Sequence, residues 1–303
     1  MTSVSVGIPA YNEANNIGSL LRALSKQELR KNFSLKEIVV VASGCTDGTE
    51  KIVKKSRESD PRVRLIVESE RRGKASAMNI LLQECASDIL VLEAADTLPK
   101  DKCLHYLLSP FENRSVGATS SRPIPVNPEN SVMGLIPHVI WNLYHYMAES
   151  RNSRNEYFHI SGEACAFRTG IVELIPEKIV NDDAYIGLEI KRAGYKVVYV
   201  PEAIVSMKGP TNILDLISQR RRIVYGHMQL EKSNDAYIPS IKPYQIIKVL
   251  PKILNPQPKK FLATTIGIGS EALSHMLAKR DIQKGKYHYK WHMVQSTKSL
   301  TAG

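Results

Sequence analysis

Short apolar runs alternate along the chain with segments whose apolar residues recur at helical spacing. Val4–Ile8 is such a run, and in the segment after it Ile17, Leu20, Leu21 and Leu24 follow the i, i+3, i+4, i+7 pattern of one helix face. The same kind of run predicts further strands at Ile38–Val41, Arg64–Val67, Ile89–Leu92, Val116–Ser120, Ala164–Phe167 and Tyr195–Val200. Strands that alternate with helices predict an α/β protein with a doubly wound, mostly parallel sheet.

Two carboxylates follow the predicted strand Ile89–Leu92. Glu93 and Asp96 stand where its apolar run ends, and open α/β sheets bind ligands just beyond the carboxyl ends of their strands. Carboxylate oxygens suit Mg²⁺ or Mn²⁺. Asp96 is therefore the first candidate ligand, and Glu93 is a second one on the opposite side of an ideal strand. The alternative is that Asp96–Pro99 only caps the next helix.

A basic loop and an acidic pair open two of the predicted helices. Arg71–Lys74 lies where free backbone N–H groups and the helix dipole favour a diphosphate, although Glu68 replaces a glycine that a Walker phosphate loop requires. Asp182 and Asp183 begin another helix, and two adjacent acids exceed what a cap requires, so one of them is a candidate general base. The alternatives are a solvated basic turn and ordinary dipole partners, worth about 0.3–1 kcal/mol each.

Two longer helices are predicted at Val132–Met147 and Asn212–Leu230. The first has an apolar face and several aromatic residues, so it either packs on the core or lies at a membrane surface. The second contains Gln219–Ile223, with three consecutive arginines that spread over most of the helix circumference. At least one of them should face inward or toward a ligand, and guanidinium suits bidentate phosphate binding. The alternative is a solvated basic face.

The net charge of +11 is confined to the last third of the chain. Residues 1–205 hold 25 basic and 25 acidic residues, whereas residues 206–303 hold 16 basic and 5 acidic ones. This asymmetry favours a polyanionic partner, which could be anionic lipid, a polyphosphate ligand or nucleic acid. The four cysteines are scattered and indicate neither a zinc site nor a disulfide framework. Phe261–Leu277 is the best candidate for a membrane span, but Glu271 and His275 interrupt it, which favours an interfacial or buried helix.

Six short motifs together resemble the family-2 inverting glycosyltransferases of the GT-A fold, including the cellulose- and hyaluronan-synthase-like branch. The resemblance covers roughly Val4–Leu230, and it rests on the order and spacing of the motifs. They are P-A-Y-N-E at Pro9–Glu13, S-G-C-T-D-G-T at Ser43–Thr49, G-K-A-S-A-M-N at Gly73–Asn79, A-A-D at Ala94–Asp96, D-D at Asp182–Asp183 and Q-R-R-R-I at Gln219–Ile223.

The resemblance implies a role for individual residues. Asp96 matches the last acid of a D-x-D metal motif that takes Mg²⁺ or Mn²⁺, and Asp183 matches the acid that deprotonates the acceptor hydroxyl. Gln219 and Arg222 match a Q-x-x-R-W signature that holds the leaving diphosphate and the acceptor near the membrane. The expected substrate-binding residues are Pro9, Ala10, Tyr11, Glu13, Ser43, Arg71, Lys74, Gly162, Asp182, Gln219, Arg220 and Arg222.

Three residues depart from the family pattern. Ala94 replaces the first acid of D-x-D, Ser43 replaces the aspartate that reads uracil, and Ile223 replaces the tryptophan of Q-x-x-R-W. The donor base therefore stays open between UDP and GDP, with GDP-mannose among the candidates. Processive and single transfer both stay open as well.

The sequence thus predicts a GT-A catalytic domain at residues 1–210 and a basic, helical, membrane-interfacial region at 211–303. The expected reaction is inverting transfer of a hexose from a nucleoside diphosphate sugar to a hydroxyl of a lipid-linked or other membrane-proximal glycan, at the cytoplasmic face of an anionic membrane. One alternative is a polyprenyl-phosphate sugar synthase, and another is a non-catalytic nucleotide-sugar-binding subunit. Nucleic acid is not an expected partner, since the basic tail lacks a base-reading module.

Overall fold

The computed structural model describes residues 1–234, 251–252, 256–286 and 297. This part of the chain forms one mixed sheet with helices on both faces. The strands are β1 (Thr2–Ala10), β2 (Phe33–Ser43), β3 (Val63–Glu68), β4 (Ile89–Glu93), β5 (Thr97–Pro99), β6 (Val116–Pro125), β7 (Ala164–Arg168) and β8 (Lys196–Met207). The helices are α1 (Ile17–Ser25), α2 (Thr49–Ser59), α3 (Lys74–Glu84), α4 (Cys103–Leu108), α5 (Val132–Asn152), α6 (Asp182–Arg192), α7 (Ile213–Asn234) and α8 (Pro258–Gln283).

The strand order is β3-β2-β1-β4-β7-β6-β8-β5. The pairs from β3 to β4 are parallel, as expected, and so is β6 with β8. β7 is antiparallel to both of its neighbours, and β5 is antiparallel to β8. The alternative that Asp96–Pro99 only caps the next helix is wrong. Thr97–Pro99 forms β5, because its backbone pairs with the end of β8, and the next helix begins only at Cys103.

Side chains alternate between the two faces of the central strands and form two apolar layers. On one face, residues such as Val6, Val40 and Val91 pack with α1 and α4. On the other, Val41 and Leu92 pack with α3 and α6. Each fully buried aliphatic side chain contributes about 1.5–3 kcal/mol, so the two layers fix the ends of β1, β2 and β4 relative to the starts of α3 and α6.

Helix α5 packs on the core, which decides between the two alternatives for this segment. Its residues Leu143, Tyr144, Met147 and Ala148 are buried in one cluster with Phe158 and Tyr199. The ring of Tyr144 lies against several aromatic neighbours, including Trp141, with 5.4 Å between the ring centroids. The aromatic residues of this helix therefore serve packing within the protein.

Helix α8 runs beside α7 in the same direction, since Leu216 clusters with Ala263 near their starts and Val224 with Ala278 further along. In the described part of the chain, no helix combines the length and the apolar character that a bilayer crossing needs. The predicted segment Phe261–Leu277 lies within α8. Its Glu271 is buried and forms an ion pair with α7.

Candidate active site

A cavity of about 380 Å³ opens at the carboxyl ends of β1, β2 and β4. The starts of α3 and α6, helix α5 and one face of α7 form its other walls. Its lining includes each of the substrate-binding residues predicted from the sequence, together with Asp96 and Asp183. Among the predicted site residues, only Glu93 lies outside it.

The end of β2 and the loop before α3 form one side of this cavity. The guanidinium carbon of Arg71 lies 4.1 Å from the centroid of the Tyr11 ring, a distance typical of a cation–π contact. Gly44 has φ +60°, and a Cβ there would lie 2.5 Å from the backbone nitrogen of Arg71, so only glycine allows the two loops to come this close. Ser43 is buried, and its hydroxyl has no hydrogen-bond partner in the described part of the chain. Ser43 lines the cavity, which makes this hydroxyl a candidate partner for a bound ligand.

The helix starts of α3 and α6 meet through an ion pair. Lys74 Nζ lies 2.9 Å from Asp182 Oδ2, and the Asp182 side chain is only 7% exposed. Burial lowers the pKa of Lys74, but the charges of Asp182 and Asp183 outweigh it, and the pKa of the ammonium is raised. Lys74 therefore stays charged at the cavity wall, and its ammonium group is the counter-ion of Asp182.

Asp183 is placed differently from its neighbour. Its Oδ1 accepts a hydrogen bond of 2.7 Å from the backbone nitrogen of Ala184, within its own helix turn. Its Oδ2 lies beside Gly162, where a Cβ would be only 2.8 Å away. Burial, followed by the charge of Asp182, raises the pKa of Asp183 to about 6, against the opposing effect of Lys74. A carboxylate in this state is ionised at neutral pH and can accept a proton.

Two further acids are the last residue of β4, Glu93, and the residue just before β7, Glu163. Glu93 is 1% exposed, and its Oε1 accepts a 2.6 Å hydrogen bond from Thr97. Glu93 faces the side of the sheet away from the cavity. Burial raises the pKa of its carboxyl group to about 8. Glu93 is therefore not placed to act as the second metal ligand suggested from the sequence. Glu163 does line the cavity, although the sequence pattern did not single it out. Burial raises its pKa to about 7, and Asp183 and Asp96 add to the shift.

The arginine run on α7 divides between two tasks. Arg220 pairs with Glu271 and Arg221 with Asp281, which ties α7 to α8. Arg222 lines the cavity, where its guanidinium is close enough to Asp182 and Asp183 to interact with their charges. Burial lowers the pKa of Arg222, and the two acids act in the opposite direction. The alternative of a solvated basic face is therefore wrong for these arginines.

An apolar wall completes the cavity and was not predicted from the sequence. Pro137, Ile140 and Trp141 from α5 face Leu216 and Ile223 from α7 across it. Apart from Ile223, which ends the Q-R-R-R-I motif, these residues belong to none of the six motifs. Only the packing of α5 against α7 and α8 brings them together. An apolar wall beside a charged floor suits a ligand that is partly sugar ring or lipid and partly phosphate.

The comparison with known families decides the class of protein. The model described as glycosyltransferase like family 2 matches residues 2–226. The chain belongs to this family. The resemblance inferred from the six motifs is thereby confirmed, and the matched region runs from β1 into α7.

Curated relatives of this family-2 chain include larger synthases. It is 24% identical to a poly-beta-1,6-N-acetyl-D-glucosamine synthase of Staphylococcus aureus (strain MSSA476) over 224 residues. The aligned region covers 72% of this chain and 53% of the relative. It is 25% identical over 237 residues to the probable glycosyltransferase YdaM of Bacillus subtilis (strain 168), with 75% and 56% covered. The chain thus spans about half the length of these relatives.

Solved structures share the fold. The mannosyltransferase PcManGT from Pyrobaculum calidifontis, in complex with GDP-Man and Mn²⁺, aligns with a TM-score of 0.62 at 22% identity, over 93% of this chain and 79% of that one. The TarS protein of S. aureus aligns with a TM-score of 0.52 at 15% identity, over 96% and 57%. At these identities the likeness establishes the fold alone. The GT-A fold expected from the motifs is confirmed.

Proposed function

We propose that this family-2 chain is an inverting hexosyltransferase that uses a nucleoside diphosphate sugar and a hydroxyl acceptor, with Asp183 as the general base. The observation that carries the proposal is the contrast between two adjacent acids. Asp182 is held by Lys74 at 2.9 Å, whereas Asp183 faces the cavity beside Gly162 with its pKa raised to about 6. A base with a pKa just below the working pH accepts a proton efficiently.

The donor's nucleotide would occupy the side formed by the ends of β1 and β2. Tyr11 and Arg71 offer a stacked, positively charged surface there, and Ser43 offers a hydroxyl that can donate to or accept from a base edge. The diphosphate would lie among Arg71, Lys74 and Arg222, which line the cavity. PcManGT binds GDP-Man, and GDP-mannose is for this reason one of the two donor types that we propose, beside UDP sugars.

The residues present fit a divalent cation when the donor supplies part of its coordination. No group of three metal-ligating side chains lies close enough to hold an ion in the described ranges. Mg²⁺ and Mn²⁺ sites in transferases commonly use one or two carboxylates with substrate phosphates, and Asp96 lines the cavity at the end of β4. We propose Asp96 as the ligand of Mg²⁺ or Mn²⁺. When bound, the ion would stabilise negative charge on the diphosphate.

The proposed reaction is a single displacement at the anomeric carbon. Asp183 takes the proton of the acceptor hydroxyl while its oxygen attacks the anomeric carbon, and the bond to the diphosphate breaks on the opposite face. A single displacement of this kind inverts the anomeric centre. The positive charges of Lys74, Arg71 and Arg222 stabilise the departing diphosphate, and Gly162 leaves the space that the base carboxylate occupies.

The acceptor is proposed to be lipid-linked or otherwise close to a membrane. Four exposed apolar side chains lie at the first turns of α7 and α8: Ile213, Leu214, Phe261 and Leu262. Lys259 and Lys260 stand in the same turn of α8, and basic residues near an anionic surface contribute about 1 kcal/mol each. We propose that this basic helical region, residues 211–303, docks the catalytic domain, residues 1–210, on the cytoplasmic face of an anionic membrane.

Donor hydrolysis provides the first test. The full-length protein is incubated with Mn²⁺ and with UDP-glucose, UDP-N-acetylglucosamine or GDP-mannose, and release of the nucleoside diphosphate is measured. We expect one of the two nucleotide classes to be hydrolysed slowly, with water in the acceptor position. If the protein neither binds nor hydrolyses any of these donors, the proposed activity is wrong and the binding-subunit hypothesis fails with it.

A further inference from the structure

Glu163 is a cavity acid to which the proposed mechanism gives no task. Each of the other acids that line the cavity has a role or a partner in the protein. Glu13 accepts a hydrogen bond from Asn16, Glu177 pairs with Arg72, Asp182 pairs with Lys74, Asp183 is the proposed base and Asp96 is the proposed metal ligand. Glu163 is half-buried at the same end of the sheet as Asp96.

The strand register places Glu163 directly opposite Ala94. β4 and β7 are antiparallel, with Glu93 opposite Ala164. The next pair continues the ladder, because the backbone nitrogen of Ala94 donates a 2.9 Å hydrogen bond to the carbonyl oxygen of Glu163. Residues directly opposite in such a pair have Cβ atoms roughly 4.5–5.5 Å apart on one face of the sheet.

The face shared by Ala94 and Glu163 is the one that carries Asp183. Side chains alternate along a strand, and Leu92 and Cys165, two positions before and after this pair, belong to the apolar layer beneath α3 and α6. Ala94 and Glu163 therefore point to the side of the sheet on which Lys74 begins α3 and Asp183 lies in the first turn of α6. Glu93 and Ala164 point to the other side.

The Glu163 carboxylate is held in one direction. Its Oε2 accepts a 2.6 Å hydrogen bond from the hydroxyl of Ser161, and that hydroxyl is also within 3.3 Å of the Glu163 backbone nitrogen. No hydrogen bond from another described residue reaches Oε1. A carboxylate oriented by a hydroxyl through one oxygen and open through the other matches the arrangement of supported metal ligands.

Resting on the proposed function, we propose that Glu163 supplies the second protein carboxylate for the divalent cation of the bound nucleotide, from the position opposite Ala94. The methyl group of Ala94 leaves room on this face for the longer side chain of the neighbouring strand. Asp96 from the end of β4 and Glu163 from the start of β7 then bracket the place where the diphosphate binds. Two protein carboxylates and phosphate oxygens complete a site of the kind that Mg²⁺ and Mn²⁺ prefer.

Binding of Mn²⁺ measured by electron paramagnetic resonance tests the role of Glu163 without turnover. The signal of free Mn²⁺ is followed as the full-length protein is titrated with MnCl₂ in the presence of GDP or UDP. Glu163→Gln keeps the size and the hydrogen bond of the side chain, and it should raise the Kd of Mn²⁺ at least about tenfold. Glu177→Gln, at a cavity acid paired with Arg72, is the matched control and should leave the Kd unchanged.

A rescue variant and a shortened acid separate coordination from mere charge. In the Ala94→Asp/Glu163→Gln protein, a carboxylate returns on the opposite strand, and Mn²⁺ affinity should recover. Glu163→Asp keeps the negative charge but shortens the side chain by one methylene. If Glu163 coordinates Mn²⁺ directly, this change should weaken Mn²⁺ binding, whereas a carboxylate that acts only through its charge at a distance should leave the Kd of Mn²⁺ unchanged. Unchanged Mn²⁺ affinity in Glu163→Gln or in Glu163→Asp would overturn this inference alone. Failure of the wild-type protein to bind Mn²⁺ with either nucleotide would instead contradict the proposed function.

Discussion

Replacing Asp183 by Asn is the sharpest test of the proposed chemistry. The amide keeps the shape of the side chain and can still accept the hydrogen bond from Ala184, but it cannot take a proton. A positioned general base contributes about 10²–10⁴ in rate, which corresponds to about 3–5 kcal/mol of transition-state stabilisation. We expect kcat to fall by this factor, while the Kd of the donor stays the same, because the cations that face the diphosphate are untouched.

The pH dependence of the wild-type rate gives the same residue a second signature. The pKa of Asp183 is raised to about 6, so the carboxylate is the ionised, active form above this pH and is lost as the pH falls through it. Each unit below the pKa should lower the rate about tenfold. The Asp183→Asn protein should have no such acid limb.

Asp182→Asn is the matched control for the neighbouring acid. Its charge is the second largest cause of the raised pKa of Asp183, so its removal should move the acid limb to lower pH while the base remains. The assay is release of the nucleoside diphosphate from the hydrolysed donor, measured from pH 4.5 to 8. Mild and equal losses in both variants, with an unchanged acid limb, would refute Asp183 as the base. They would favour an acceptor that is already ionised, such as a polyprenyl phosphate.

Three other changes test the surroundings of the base, the metal and the membrane. Gly162→Ala would place a Cβ 2.8 Å from the base carboxylate, and a displaced base should cost about a hundredfold in kcat. Gly269→Ala has open space and should have no effect, so equal losses would contradict the steric argument. Excess EDTA, or the Asp96→Ala substitution, should abolish turnover, and added Mn²⁺ should restore the activity of the EDTA-treated protein only. Turnover that survives excess EDTA would contradict the proposed metal dependence. Leu214→Asp with Phe261→Asp should reduce sedimentation with anionic vesicles, and partitioning equal to that of the wild type would argue against docking through these helix starts.

The sequence by itself determined the local elements and the positions of the chemistry. The alternating apolar runs predicted the core strands, because burial on both faces of a sheet requires continuous apolar segments. The acid after β4 was found because ligands of α/β sheets bind just beyond the carboxyl ends of the strands. The pair at the start of α6 was found because two adjacent acids exceed what a helix cap requires, and the basic loop before α3 because a helix start favours anions. The order and spacing of the six motifs pointed to the family that the comparison confirmed.

Only the tertiary structure decided which partners these residues have. The helix-start pattern alone does not separate Asp182 from Asp183, and only the family resemblance marked Asp183 as the base. In the structure, Lys74 of α3 lies 2.9 Å from Asp182, while Gly162 leaves space for Asp183. By residue type alone the three arginines of α7 are likewise equivalent, and only the family resemblance singled out Arg222. In the structure, Glu271 and Asp281 of α8 pair with Arg220 and Arg221. Glu163 was not recognised in the sequence as a candidate. In the structure, the antiparallel register of β7 with β4 places it opposite Ala94, at the wall of the cavity. Periodicity along a chain reports which face of an element is buried, but ion pairs and strand partners depend on residues far apart in sequence, and only packing brings them into contact.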